Sequence, residues 1–284
     1  MPATISRGVA RLAAGLVCVA CCLAGQSVPE QKVTIEVAPV PQEVVTKRFE
    51  RLRSKDAERE AELKTIFEEA GCTDDRIVEE IVHRKDPPNI ICTLPGTTNS
   101  LIIVGAHFDH AAAGAGAVDD WSGASLLPSL YQALRETPRK HTIQFIGFAN
   151  EEGDQEGSGF HVKHLTKDQV SSIKAMINLE CLGLSSTKVW AHAADQRLLG
   201  GLLGVAKSTH APLQAANVEK VGTDDTQPFL EKKIPTITIH SITLETFPIL
   251  HSKKDSLTAV HLDDLYESYR LAARYLSYLD QVLD

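Results

Sequence analysis

Apolar positions along this chain follow two rhythms. Short runs that alternate or stay apolar occur at Arg76 to His83, Asn89 to Leu94, Leu101 to Val104, Thr142 to Ala149, Lys174 to Leu179, Thr187 to His192 and Thr236 to His240, and each predicts a strand. Helical spacing fills the intervals. Val45, Phe49, Leu52, Leu63, Ile66 and Phe67 predict one or two helices between Gln42 and Ala70, with Gly71 where a helix would stop. The charge run between Arg51 and Glu62 reads as a solvated face. Leu126, Leu127, Leu130 and Leu134 predict a helix after Gly123, and Pro128 is tolerable there only near the first turn, so either Ser125 lies near the cap or the helix kinks. Thr166 with Gln169 resembles a capping box. Asp195 to Lys207 is an amphipathic helix capped at its start, and the closing helix, roughly Asp264 to Asp280, carries Leu265, Tyr269, Ala272, Leu276 and Leu279 near one face.

The predicted strands end in chemistry. The stretch from Leu101 to Gly123 delivers His107-Phe108-Asp109 at a strand end, and His107 and Asp109 at i and i+2 share one side of an extended chain, so Asp109 could orient the imidazole. The small residues of Ala111 to Ala117 suit a chain that folds back and brings Asp119 beside His107. Asn150-Glu151-Glu152-Gly153 closes the next strand and Glu180 the one after it. Sites in open α/β sheets gather at the carboxyl ends of strands, which puts these residues on one rim. His107, Asp119, Glu152, Glu180 and His251 are enough donors for a pair of divalent ions if one carboxylate bridges, and mixed imidazole and carboxylate ligands suit zinc, with cobalt or manganese as substitutes. Glu151 points to the opposite side of Glu152 unless the strand end bends; a bend frees it to act on water.

Composition changes this picture little. The 284 residues, 43% of them hydrophobic, suffice for one large α/β domain or two small ones. Thirty-seven acidic against 29 basic residues give a net charge of -8, which argues against nucleic acid as a partner and allows cations. Arg7 and Arg11, the apolar run Leu12 to Ala24 and then Gly25-Gln26-Ser27 have the order of a secretory signal, and the run is too short to span a bilayer comfortably. The expected organisation is a leader over residues 1–27, an extended arm over 28–41 and a single domain over 42–284 with a helical segment at its start. Such a protein is secreted or periplasmic and keeps no stable membrane span after cleavage; Cys21 and Cys22 leave a lipoprotein anchor as the alternative. Of the cysteines beyond the leader, Cys72, Cys92 and Cys181, at least one is unpaired, no disulfide framework is implied and a Cys72–Cys92 pair is left open, so all three read as small buried hydrophobes.

GAHFD, VDDWSGAS, ANEEGDQEGS, INLE and LHSKKDS, in this order and spacing, resemble the co-catalytic zinc exopeptidases of metallopeptidase family 28, the bacterial leucyl aminopeptidase type, from about Asn89 to Leu279. The resemblance implies a three-layer α/β/α sandwich around a mixed, mostly parallel sheet. It implies two zinc ions, one held by His107 and Glu180, the other by Glu152 and His251, with Asp119 bridging both. Asp109 then orients His107, Asp120 takes the place where the family has a cis peptide bond, and Glu151 is the general base and acid. Glu180 stands where Asp is usual, and Thr226 where a His is common in the loop with Asp225, Pro228 and Phe229.

The implied reaction is cleavage of the N-terminal residue from a peptide substrate. The ions polarise the scissile carbonyl and lower the pKa of a bridging water from about 16 toward ~7, while Glu151 moves the proton to the leaving amine. Two other readings exist. A glutaminyl-peptide cyclotransferase shares the fold and most ligands but uses one zinc, and the full ligand set with Ser122-Gly123 favours the peptidase. A non-catalytic homologue acting as a binding module would have lost ligands, whereas all five and the base are present. The short spans from Glu152 to Glu180 and from Asp195 to Thr236 predict an open cleft without a large inserted lid.

Overall fold

An eight-stranded sheet runs through the middle of the chain in a computed structural model that describes residues 33–217 and 222–284. The expected leader and the start of the arm lie outside the described residues. The strands are β1 Ile77–Glu80, β2 Asn89–Leu94, β3 Leu101–His107, β4 Thr142–Phe148, β5 Ile173–Glu180, β6 Lys188–Val189, β7 Gln214–Ala215 and β8 Thr236–His240. Their order across the sheet is β1-β2-β4-β3-β5-β8-β6-β7. The central four, β4, β3, β5 and β8, are mutually parallel, and antiparallel pairings flank them at β2 and β6. The sheet is mixed and mostly parallel, as expected.

Helices cover both faces. They are α1 Gln42–Phe49, α2 Asp56–Glu69, α3 Ser122–Ala124, α4 Leu127–Leu134, α5 Glu156–His164, α6 Lys167–Ser172, α7 Gln196–Thr209, α8 Gln227–Glu231 and α9 Leu262–Val282. The alternation of side chains along each strand assigns the layers. Ile102 and Val104 of β3 and Ile177 and Leu179 of β5 join the core under α2, α4, α7 and α9, whereas Ile103 and Met176 join a second core with Val162 of α5 and Phe229 of α8. A sheet buried on both sides reads as continuous apolar runs, which is why β3 and β5 stand out in the sequence.

Caps and breakers act as their chemistry dictates. Thr166 and Gln169 close both hydrogen bonds of the capping box, and the Asp195 carboxylate accepts the amides of Arg197 and Leu198. Pro128 sits in the first turn of α4, separated from α3 by a break at Ser125-Leu126, so the helix after Gly123 is interrupted rather than continuous.

Five expectations need correction. The strand expected over Thr187 to His192 contracts to β6, and that over Arg76 to His83 to β1, because each lies toward an edge of the sheet where few ladder partners are available. Gln227 to Phe229, expected as the end of a polar loop that starts at Val221, instead open α8 because Phe229 drops into the second core. Within the charge run, Arg53, Lys55 and Glu58 face solvent as expected, but Arg59 is fully buried and Glu62 is 8% exposed, accepting from both Arg51 and Arg53, so these two leave the solvated face. Cys72 and Cys92 form a disulfide, with Cα atoms 6.3 Å apart, while Cys181 is free. Both are buried, but α2 lies across β2 and brings the two thiols together, so the reading as separate small hydrophobes fails.

Closing a loop of sequence separation 20 removes freedom from the unfolded chain. Replacing both Cys72 and Cys92 by Ala is expected to lower the unfolding free energy by ~3 kcal/mol. Urea unfolding with and without reductant measures this, and only the unsubstituted protein is expected to respond to reductant.

Candidate metal centre

Because β4, β3, β5 and β8 are adjacent and parallel, the loops at their carboxyl ends share one rim. His107 ends β3, Glu151 and Glu152 follow β4, Glu180 ends β5, and the long connection after β8 carries His251. Asn150 adopts φ 54°, which bends the chain out of the strand, and as a result Glu151 and Glu152 both face the same cleft as Asp119, Glu180 and His251. The cleft has a volume of about 620 Å³ and one apolar wall, of Phe247, Pro248 and Leu250.

Within it, Asp119 faces two ways. Its Oδ1 lies 3.1 Å from His107 Nε2 and its Oδ2 lies 3.1 Å from His251 Nε2. Glu180 Oε1 is 3.7 Å from the same His107 nitrogen, and Glu152 Oε2 is 3.1 Å from the same His251 nitrogen. Two donor groups therefore share one carboxylate. Glu151 Oε2 stands 3.9 Å from His107 Nε2. Asp109 Oδ1 faces His107 Nδ1 at 3.4 Å, and the same carboxylate accepts the amides of Glu151 and Glu152 at 3.0 and 3.1 Å, so it sets the bent strand end while lying beside the ring.

The backbone around Asp119 is held from two sides by residues that sequence reasoning missed. Asp255 is buried and accepts the amides of Val118 at 2.7 Å and Asp119 at 3.2 Å. Arg59 of α2 donates to the carbonyls of Phe108 (3.1 Å), Ala115 and Gly116, drawing the returning loop together. Asp255 lies four residues beyond His251 in the LHSKKDS segment, a usable signal; Arg59, inside a charged helix, has none. The Asp119–Asp120 peptide is cis, and Asp120 Oδ1 accepts the amides of Gly123 (3.1 Å) and Cys181 (2.9 Å). Only glycine fits at 123, since a Cβ there would lie 2.5 Å from the Leu179 carbonyl oxygen and 2.6 Å from Asp120 Oδ2.

Other side chains fall away from the centre. His110 pairs with Asp56 at 2.8 Å, and Trp121 is core, donating to the Phe49 carbonyl at 2.8 Å. Thr226 turns its hydroxyl to Asp224 at 2.5 Å, while both oxygens of the fully buried Asp225 lack partners.

The charge balance is lopsided. Burial opposes charge on His107, but the carboxylates of Asp109, Asp119 and Glu180 outweigh it and raise its pKa well above the ordinary value. The hydrogen bond that His251 donates to Asp119, with the charges of Asp119 and Glu152, outweighs burial and pushes His251 up to about 9. Asp119 is held far below the carboxylate range: burial works against this, and the two histidines prevail. The remaining acids shift the other way. Burial, followed by the charges of Asp225, Glu180 and Asp119 working against that of His107, raises Glu151 to about 9. Burial alone is the largest cause for Glu180, for Asp120 and for Asp225, the last raised to about 8. Asp120 Oδ2 is buried without a partner. Converging acids with orphaned oxygens and only two imidazoles fit divalent cations, and the nitrogen and oxygen donors match those zinc accepts.

The chain matches the sequence profile of Peptidase family M28 over residues 89–276. It is 25% identical over 201 residues to Aminopeptidase YwaD of Bacillus subtilis, an alignment covering 67% of this chain and 42% of that protein. The chain spans less than half the length of the curated relatives it matches. Among solved structures it resembles BSAP, a zinc aminopeptidase from Bacillus subtilis, with a TM-score of 0.62 at 23% identity over 67% of this chain and 49% of that one. It also resembles an Acidobacteriales bacterium glutaminyl cyclase, with a TM-score of 0.68 at 19% identity over 88% and 99%.

In the metal-free protein the contact of protonated His251 with Asp119 and Glu152 adds stability that is fully present below the unfolded pKa near 6.5 and is lost as pH rises through about 9. Imidazole NMR is expected to show one exposed ring titrating near that upper value, and Asp119→Asn to return it toward the ordinary range. Asp255→Ala strands two buried amides and is expected to cost about 1–3 kcal/mol in denaturant unfolding.

Proposed function

Because the chain belongs to Peptidase family M28, we propose that it is an exported zinc aminopeptidase that holds two ions and removes the N-terminal residue of a peptide. In this reading His107, Glu180 and Asp119 hold one zinc and Asp119, Glu152 and His251 the other, with cobalt or manganese as substitutes. Residues 1–27 serve as the export leader, and a single domain follows the arm. The observation that carries it is the two-sided Asp119, one oxygen 3.1 Å from each of two histidines that each have a further carboxylate at hand. The printed description of BSAP as a zinc aminopeptidase supports the choice of metal and reaction.

Zinc ions bound here supply Lewis acidity toward the scissile carbonyl and make water a competent nucleophile at neutral pH. The chain's own residues do the rest. Asp109 fixes the His107 ring and, through two amide hydrogen bonds, the direction in which Glu151 leaves the backbone. Glu151 retains its proton at neutral pH while the surrounding acids are uncompensated; neutralising their charges favours its carboxylate form, which takes a proton from the attacking water and passes it to the leaving amine. The apolar wall of Phe247, Pro248 and Leu250 faces this position and suits an apolar side chain at the substrate's N-terminus.

A second reading rests on the group Asp119, Glu152 and His251, whose donor atoms lie within 4.8 Å of one another and would hold a single ion without His107. A one-zinc site suits a glutaminyl-peptide cyclotransferase, in which ring closure of an N-terminal Gln replaces hydrolysis.

Metal analysis and assay separate the two. Two zincs per chain with release of p-nitroaniline from aminoacyl p-nitroanilides, abolished by chelation and restored by zinc, is the expected result. One zinc with cyclisation of N-terminal Gln would establish the second reading instead. Glu151→Gln is expected to keep both ions and to lower kcat by about 10²–10⁴; full activity in that variant would remove Glu151 as the base.

A further inference from the structure

Glu180 is followed at the end of β5 by Cys181, and strand alternation would send the two side chains to opposite faces. The backbone prevents this. Cys181 adopts φ 48°, a left-handed conformation uncommon for a residue with a side chain, and it is pinned there by its amide on Asp120 Oδ1 at 2.9 Å and its carbonyl under the Ser241 hydroxyl at 2.7 Å. Its Sγ consequently lies 3.2 Å from Glu180 Oε1, on the wall of the cleft, although the residue is only 1% exposed.

The donor atoms of Asp119, Glu180 and Cys181 all lie within 4.8 Å of one another. A zinc ion takes sulfur at ~2.3 Å and carboxylate oxygen at ~2.0–2.2 Å, so a sulfur and an oxygen 3–4 Å apart are spaced to share one ion. A second observation points to the same volume. Asp120, His107 and Glu180 form an overlapping donor group within the same limit, and the fully buried Asp120 keeps one oxygen without any partner. The two groups meet at Glu180, whose Oε1 lies 3.2 Å from the Cys181 sulfur and 3.7 Å from His107 Nε2 at the ends of β3 and β5.

We propose that Cys181 is a sulfur donor to the ion held by His107 and Glu180, an assignment that rests on the two-ion reading above. On binding, the S–H proton leaves to solvent and the Sγ···Glu180 contact is replaced by two bonds to the same ion. The two sites then differ in kind. The ion near His251 has nitrogen and oxygen donors only, whereas the ion near His107 gains a soft thiolate, which selects zinc, cobalt or cadmium over manganese or magnesium and makes that ion the weaker Lewis acid. Glu180 in place of a shorter acid lets its carboxylate reach the ion beside the thiolate.

Cobalt loading of the metal-free full chain tests this. The expected spectrum contains a near-ultraviolet thiolate-to-cobalt charge-transfer band that disappears in Cys181→Ser while two ions remain bound; the other cysteines are common to both proteins and cancel in the difference. Cadmium affinity at one site is expected to fall by more than about tenfold in that variant, with manganese binding unchanged. Should Cys181→Ser fail to fold, the ¹¹³Cd spectrum of the unaltered protein decides: one resonance far downfield of the other supports sulfur ligation. Two bound ions with no such band and no downfield resonance overturn the assignment and leave the two-ion reading intact, whereas a failure to bind ions at all removes both.

Discussion

The structure depends on holding a single carboxylate, that of Asp119, so that each of its oxygens meets a different histidine. An aspartate at the end of a loop would turn to solvent if its backbone were free. Here Asp255 takes the amides of Val118 and Asp119, and Arg59 gathers the carbonyls of the returning loop, so the segment between His107 and Asp119 is tied on both its donor and its acceptor sides. Both tying groups are charged and buried, and each is satisfied by several backbone partners, the condition under which such burial is tolerated.

The same enclosure creates an electrostatic conflict. Carboxylates that would be harmless in water are pressed together away from it, and the fold answers by raising the pKa of Glu151, Glu180, Asp120 and Asp225 while letting Asp119 take the charge opposite the two imidazoles. The cost of this crowding is the affinity of the centre for cations. Glu151 is tuned by the arrangement, because its proton affinity responds to how far the surrounding charge has been compensated.

The helical segment ahead of the family-matched region belongs to the site. Arg59 reaches the loop from α2, and α2 is anchored to the sheet where Cys72, just past its end, is bonded to Cys92 of β2. Segment and centre are one mechanical unit. A truncation that kept residues 89–276 and discarded α2 would leave the carbonyls of Phe108 and Ala115 without their donor.

Much of this was legible from residue order. Continuous apolar runs gave β3 and β5, because a strand covered on both faces has no polar side, and parallel strands placed His107, Glu152 and Glu180 on one rim regardless of detailed packing. Capping chemistry at Thr166 and Asp195 is local and was readable for that reason. What pattern could not show arises from contacts between distant segments. Arg59 and Glu62 look like solvent-facing charges in a helix until the loop of Ala115 arrives; Cys72 and Cys92 look like separate apolar fillers until α2 crosses β2; and Cys181 alternates away from Glu180 until Asp120 and Ser241 turn its backbone over. Sequence alone determined which donors reach the rim, since that follows from strand polarity and spacing. Only the tertiary structure decided how those donors are held and how their charges are shared, since hydrogen bonds and desolvation act between residues the chain keeps far apart.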